Sequence, residues 1–244
     1  MVMQKIGFFL LLVSPIWLSS CVFVGGNRVK GNGNITTKSI DQKDFTSIEV
    51  KNNMAVYLKN SVNYSIKIET DDNILNYIHV QKNNNGTLEI ESKSHNHLDP
   101  SEAIKVFIEM PYVKKISLSG VSQLETEGKY SQDKEIKIEV SGASTANISL
   151  KAPKIDLEAN GASTLTIDGE CKDIKANAVG ASTINAFGLL AENADARATG
   201  ASTTRVFSSI SLKADASGAS TIKYKGNPKV VSDASGASSV SQEK

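Results

Sequence analysis

What this chain has little of narrows it first. Two cysteines, Cys21 and Cys171, occur in 244 residues, too few for a disulfide framework, so packing must hold the fold. Aromatic residues make up 6% of the chain and the single tryptophan, Trp17, lies close to the N-terminus. The rest of the chain therefore has no indole to stack on sugar rings. All three histidines precede residue 100, so none lies near Cys171 in sequence to make it a nucleophile. Basic residues number 27 and acidic residues 26, a net charge of +1, which is too small a field to gather nucleic acid. Long apolar runs are confined to the first twenty residues.

That first stretch has Lys5 ahead of an apolar segment from Ile6 to Trp17, broken by Ser14 and Pro15, and ends in Leu18-Ser19-Ser20-Cys21. It is too short to span a bilayer and reads as a secretory signal over 1–20. Small residues before Cys21 resemble a lipobox, which implies acylation of that cysteine and a membrane anchor with no spanning helix. Residues 21–34, with Gly25-Gly26 and Gly31-Asn32-Gly33-Asn34, read as a flexible tether. Cys171 then stays unpaired and is expected to be a shielded corner residue.

The dominant signal is a repeated phrase. Ser-Gly-Ala-Ser-Thr at 141–145 returns in near-copies at 160–164, 179–183, 199–203, 217–221 and 235–239, with a weaker version at 119–123. Its glycines are Gly120, Gly142, Gly161, Gly180, Gly200, Gly218 and Gly236, separated by 22, 19, 19, 20, 18 and 18 residues. A period of this size means stacked units, each burying its apolar face on the next.

Offsets from each glycine give the units a shape. Two residues back stand Leu118, Val140, Ala159, Ala178, Ala198, Ala216 and Ala234; four ahead stand Leu124, Ala146, Leu165, Ile184, Thr204, Ile222 and Val240. Six back, from Ile136 onward, the positions are again mostly apolar. Even offsets share one face of an extended chain, so this face is the core. The serine two residues after each glycine also points inward, where its hydroxyl can bond a neighbouring hydroxyl or backbone. Five residues back, Lys137, Asp156, Lys175, Asp195 and Lys213 alternate in sign, as expected of a ladder of stacked parallel strands. Coils of 18–20 residues with no helical stretch predict a parallel β-helix over 116–240, right-handed by the crossover preference of parallel strands.

Before the repeat, residues 35–115 read as an irregular β-rich portion. Short alternating runs flank the hairpin turn Asn83-Asn84-Asn85-Gly86, and Asp71-Asp72-Asn73 is expected to cap one helical turn through Tyr77. The fold class is therefore all-β, a solenoid preceded by this irregular portion.

Chemistry-bearing clusters are sparse. His95-Asn96-His97-x-Asp99 holds metal-ligating side chains, but a solvated loop beside Pro100 is the plainer reading, and no metal or cofactor is assigned. Glu139 and Glu158 fall at equivalent offsets and are expected to be neighbours, the minimum for a β-helical carbohydrate-active enzyme. The column they occupy continues Asn177, Arg197, Asp215, Asp233, as an ordinary solvated face would. No catalytic residue is assigned. Thr145, Thr164, Thr183, Thr203 and Thr221 form an outward column beside an alanine column, the candidate contact face. One threonine per coil is a poor match to the paired arrays that order ice.

Several features together resemble the bacterial lipoprotein family of auto-transporter adhesins with a head GIN domain. They are the lipobox, the Gly-rich tether, Phe45-x-x-Ile48-x-Val50, Asn85-Gly86-Thr87-Leu88-x-Ile90, Pro111, and Ser119-Gly120 leading into Gly-Ala-Ser repeats. The resemblance covers roughly 29–240 and implies a β-helical, envelope-attached, non-enzymatic binding or scaffold module, with no catalytic motif to carry over. A β-helical carbohydrate-active enzyme stands as the alternative and an ice-binding or surface-ordering protein third. Expected partners are a membrane through the lipid anchor, with the outer membrane as location, and a glycan or protein ligand at the cell surface. The coil of Gly236 has little sequence after it to cover its core end, which predicts shielding by a partner or by a second copy.

Overall fold

The structure is a computed structural model, and it describes residues 27–244 apart from 94 and 95. The expected signal segment, Cys21 and His95 lie outside the described residues.

Two parallel sheets run the length of the molecule and meet at the glycine corners. The leading sheet holds the strands that enter each corner. In spatial order these are Thr87–Ser92, Ser47–Val50, Lys115–Leu118, Ile136–Val140 and Lys154–Gly161, then the second parts of Thr164–Gly180 and Thr183–Gly200, then Ser211–Gly218 and Lys229–Gly236. The trailing sheet holds the strands that leave it. Its order is Lys105–Met110, Ala55–Asn60, Gln123–Thr126 and Thr145–Lys151, the first parts of the same two long strands, then Thr203–Phe207, Thr221–Lys225 and Ser239–Gln242. This is a parallel β-helix. The seven repeat glycines mark seven successive turns.

The stack begins earlier than the repeat does. The strands Ser47–Val50 and Ala55–Asn60 form a full coil beneath that of Gly120, with Val50 against Leu118 and Val56 against Leu124. Spatial order also departs from chain order here. The coil of 47–60 is flanked on its other side by Thr87–Ser92 and Lys105–Met110, so the chain leaves the stack after residue 60 and lays down a layer beneath its own first coil. It then returns at Lys115 to build upward. The boundary near 116 thus marks where glycine corners start, within one continuous core.

Antiparallel strands close this end. Ile78–Lys82 pairs with Thr87–Ser92 across the turn at Gly86, whose φ is 74°, while Ser65–Asp71 pairs with Lys105–Met110 and Ile35–Ser39 with Ser65–Asp71. Covering the bottom layer this way protects a parallel edge that would otherwise offer unpaired N–H and C=O groups.

Two local expectations are corrected. The helical turn is a short 3-10 segment, Leu75–Tyr77, whose N-cap residue is Ile74 with no side-chain cap. Asp71, Asp72 and Asn73 bond elsewhere: Gly33 N donates to Asp71 at 2.7 Å, Asn32 Nδ2 to Asp72 at 2.6 Å, and Asn73 Nδ2 to the Lys30 carbonyl at 2.8 Å. The later part of the expected tether is accordingly fixed. Residues Asn27–Lys30 pair with Asn96–Asp99, and Gly31 approaches Asp71 so closely that a Cβ would meet its carboxylate at 2.4 Å. Burial pushes the pKa of Asp71 up, but hydrogen bonds from Ser101 and Gly33 outweigh it and hold the carboxyl below its ordinary range.

The core thins along the rod. At the positions two and four before each corner, Ile48 and Val50, Ile116 and Leu118, and Ile138 and Val140 give way to Ala176 and Ala178, Ala196 and Ala198, and Ala214 and Ala216, all buried.

Candidate binding faces

The corner is built from the repeat itself. All seven repeat glycines have φ between 73° and 86°, a region that costs an L-residue energy and glycine nothing. Their spacing adds a second requirement: a Cβ on Gly142 would sit 2.6 Å from the carbonyl oxygen of Gly120. The coil of 47–60 solves the same corner with Asn52, at φ 75°, and places Met54 where later coils place serine. Asparagine tolerates this conformation better than other non-glycine residues.

Each alanine after the glycine donates its N–H to the glycine carbonyl one coil below, as in Ala143 to Gly120 at 2.8 Å and Ala162 to Gly142 at 2.9 Å. The buried serines bind backbone. Ser163 donates to the Val140 carbonyl at 3.0 Å, Ser202 to Ala178 at 3.0 Å and Ser220 to Ala198 at 2.9 Å. Ser182 reaches the carbonyls of Ala159 at 2.8 Å and Val179 at 3.0 Å. Glycine, alanine backbone and serine side chain are thereby committed to holding the turn, and the side chains of alanine and threonine face outward.

The threonines do stack. Thr145 lies beside Thr164, Thr164 beside Thr183, Thr183 beside Thr203 and Thr203 beside Thr221, next to the exposed column of Ala143, Ala162, Ala181, Ala201 and Ala219. The result is a straight strip of methyl and hydroxyl groups about 4.8 Å apart along the rod.

The charge ladder of the leading sheet has the expected register, Lys137 beside Asp156, then Lys175, Asp195 and Lys213. Its ion pairs take a different route. Lys175 meets Asp156 at 3.7 Å, but Lys137 turns to Glu139 at 2.8 Å and Glu158 at 3.0 Å, and Lys115 also reaches Glu139 at 2.8 Å. Glutamates two residues further along the strand offer closer oxygens. These two glutamates are register neighbours, as expected. Burial raises the pKa of Glu139, yet the hydrogen bonds from Lys115 and Lys137 more than offset this and leave it lowered. Lys137 thereby bridges the two glutamates and ties neighbouring coils through ion pairs.

The remaining candidates are placed as follows. Cys171 is a free thiol whose pKa burial, with Asp173 nearby, pushes up to about 12, which keeps it protonated and a weak nucleophile. Asp99 is engaged by Arg28 at 2.7 Å, and no cluster of three metal-ligating side chains occurs among the described residues. Sequence reasoning missed a cavity of about 290 Å³ between the Asn52 corner and the 97–104 segment, lined by Asn52, Met54, His97, Leu98, Ile104 and Val121. The signal was available: Ile48 and Val50 before Asn52, and Val56 and Leu58 after it, keep the offsets of the later coils.

Stacked coils with structurally committed corners and regular outward columns define a β-solenoid that presents long, repetitive surfaces. The chain belongs to the family described as "Putative auto-transporter adhesin, head GIN domain", whose pattern matches residues 44–228. Its fold is similar to that of a "putative adhesin" from Bacteroides fragilis NCTC 9343, with TM-score 0.83 and 22% identity over 88% of this chain and 100% of that one. It is also similar to a "putative lipid binding protein" from Parabacteroides distasonis ATCC 8503, with TM-score 0.71 and 20% identity over 89% and 100% of the two chains. A "putative adhesin" from Parabacteroides merdae ATCC 43184 gives TM-score 0.70 and 21% identity over 90% and 100%. A comparison with curated proteins finds no match. At these identities the structures establish the fold, while the family suggests a non-enzymatic binding role at the cell surface or envelope.

Proposed function

We propose that this chain is an envelope lipoprotein, acylated at Cys21 and held at the outer membrane, that binds a surface glycan or protein through the strip of Thr145, Thr164, Thr183, Thr203 and Thr221 and the neighbouring alanines. The observation that carries this reading is the division of labour within the repeat. Glycine and serine are used up in backbone bonding, whereas the threonines recur in register with no side-chain hydrogen-bond partner among the described residues. A solvated corner would accept any polar residue at that place. A flat strip of small side chains lets an extended ligand approach several coils at once, and each threonine supplies one donor and two acceptor lone pairs.

The test is binding of the whole protein to a glycan array and to envelope fractions, with a Thr164→Lys/Thr183→Lys/Thr203→Lys variant alongside. Loss of a saturable signal in the variant, with its melting temperature retained, supports the reading, and equal binding by both proteins overturns it. Acylation is tested separately by metabolic labelling with a fatty acid. Label is expected on the natural chain and absent from Cys21→Ala.

A further inference from the structure

Most basic residues of the two sheets are paired, and those of the last trailing strands stand apart. On the leading sheet, Lys115, Lys137, Lys154, Lys175, Arg197 and Lys213 each lie 2.8 to 3.7 Å from a carboxylate. On the trailing sheet of the later coils, Arg205 stands directly across from Lys223 and Phe207 from Lys225. Like charges opposed across a ladder destabilise it. Glu243 reaches Lys223 at 3.0 Å, but Arg205 and Lys225 meet no carboxylate among the described residues. Lys225 instead crosses the Phe207 coil and holds its ammonium 5.0 Å from the ring of Phe187.

Apolar side chains share this edge. Phe187 and Phe207 are half-buried in the same outward column. Three residues further along each coil, where the trailing strand turns into the next leading strand, Leu190 and Ile210 are 53% and 56% exposed. Nothing in the corner geometry asks for branched aliphatics there; Pro228 occupies the equivalent place in the next coil. Three basic residues around the single carboxylate of Glu243, beside exposed aliphatic and aromatic groups, form the pattern of a surface that enters a charged, partly apolar interface.

We propose that this edge docks on a lipid bilayer bearing anionic headgroups, with Leu190 and Ile210 entering the interface and Arg205 and Lys225 facing lipid phosphates. A hydroxylated polymer would use the cations and rings but leave the two aliphatic side chains in water, which is why a bilayer is the better fit. The edge lies about 24 Å along the rod from the Asn52 coil, five coils at about 4.8 Å each. Docking there would lay the rod along a membrane. The proposal is independent of acylation at Cys21 and of any ligand on the threonine strip.

A local reporter separates this edge from any other attachment. In the full chain carrying Trp17→Phe and Leu190→Trp, position 190 holds the only tryptophan. Vesicles of phosphatidylcholine mixed with phosphatidylglycerol are expected to shift its emission to the blue, and brominated acyl chains to quench it. Adding Arg205→Glu/Lys225→Glu is expected to weaken the response about tenfold or more, since each basic residue near an anionic surface contributes on the order of 1 kcal/mol. An Ile210→Trp reporter on the Trp17→Phe background should read the same way, with circular dichroism confirming the fold of each variant. Emission that stays unchanged in both reporters while the protein sediments with vesicles overturns the proposal. So does an equal shift with pure phosphatidylcholine, or a shift produced by polygalacturonate without vesicles, which would make the edge a polyanion site.

Discussion

The coils near the N-terminal end and those of the later repeats solve the same stacking problem with different materials. Beneath Gly120 the core is Ile48, Val50, Ile116 and Leu118, the corner is Asn52, and antiparallel strands with the Asp71 network close the end. From Gly161 onward the same core places are largely alanine, every corner is glycine, and buried serines bond the coil below. Where side-chain volume is high, apolar burial stabilises the stack and the corner can vary. Where it is low, backbone and hydroxyl bonding take a larger share; the glycine corner itself already begins at Gly120 and Gly142, whose coils keep bulky cores. The repeat is conspicuous in the half where the core is thinnest.

Core volume should give the largest contrast. Leu118→Ala removes a fully buried side chain and is expected to cost about 2–5 kcal/mol in urea unfolding. At the matching place two coils above Gly142, Ala178→Leu must fit extra methylenes between closely stacked sheets and is expected to cost about 1–3 kcal/mol. If the leucine were accommodated at no cost, the later coils would have slack rather than a thin, filled core.

Corners come next. Gly142→Ala combines a positive φ with a backbone contact and is expected to cost at least about 1–3 kcal/mol. Asn52→Gly keeps the same backbone angle but deletes the side-chain oxygen that accepts the Ser92 N–H at 3.1 Å, and is expected to cost less, about 0.5–1 kcal/mol. Similar losses at both positions would show that the two ends obey one rule.

Ion pairing on the outward faces supplies a smaller, pH-dependent contrast. Glu170 is held at about 2, below the usual 4.5, chiefly by hydrogen bonds from Lys129 and Lys151. A depressed carboxylate stabilises the fold above its unfolded pKa, and that contribution fades as pH falls from about 4.5 toward about 2. Acidification through this window should lower the melting temperature, and Lys129→Met/Lys151→Met should flatten the dependence. A drop of the same size in that variant would place the acid sensitivity elsewhere, in Glu139 or Asp71.

Much of the repeat half was legible because its period, inward offsets and glycine angles all express one constraint, identical backbones stacked at a single spacing. The threonine column and the charge register followed from the same offsets. The partners of the charges did not, since Lys137 chooses between carboxylates by side-chain reach and not by strand position. The N-terminal coil was hidden because Asn52 and Met54 stand where glycine and serine were sought. Its place inside the stack, between a later strand pair and the Gly120 coil, leaves no trace in chain order. Asp71-Asp72-Asn73 looked like a helix cap because those side chains accept N–H bonds. They do accept and make such contacts, but with residues some forty positions earlier in the chain.

The central claim is that within each Gly-Ala-Ser-Thr phrase the serine builds the coil and the threonine faces outward, free for contact. Equilibrium urea unfolding of Ser182→Ala and Thr183→Ala, neighbours in one corner, tests it most directly. Removing the Ser182 hydroxyl leaves buried carbonyls short of a donor and is expected to cost about 1–3 kcal/mol, while Thr183→Ala is expected to stay within about 0.5 kcal/mol of the natural chain. A costly threonine beside a silent serine would contradict the account.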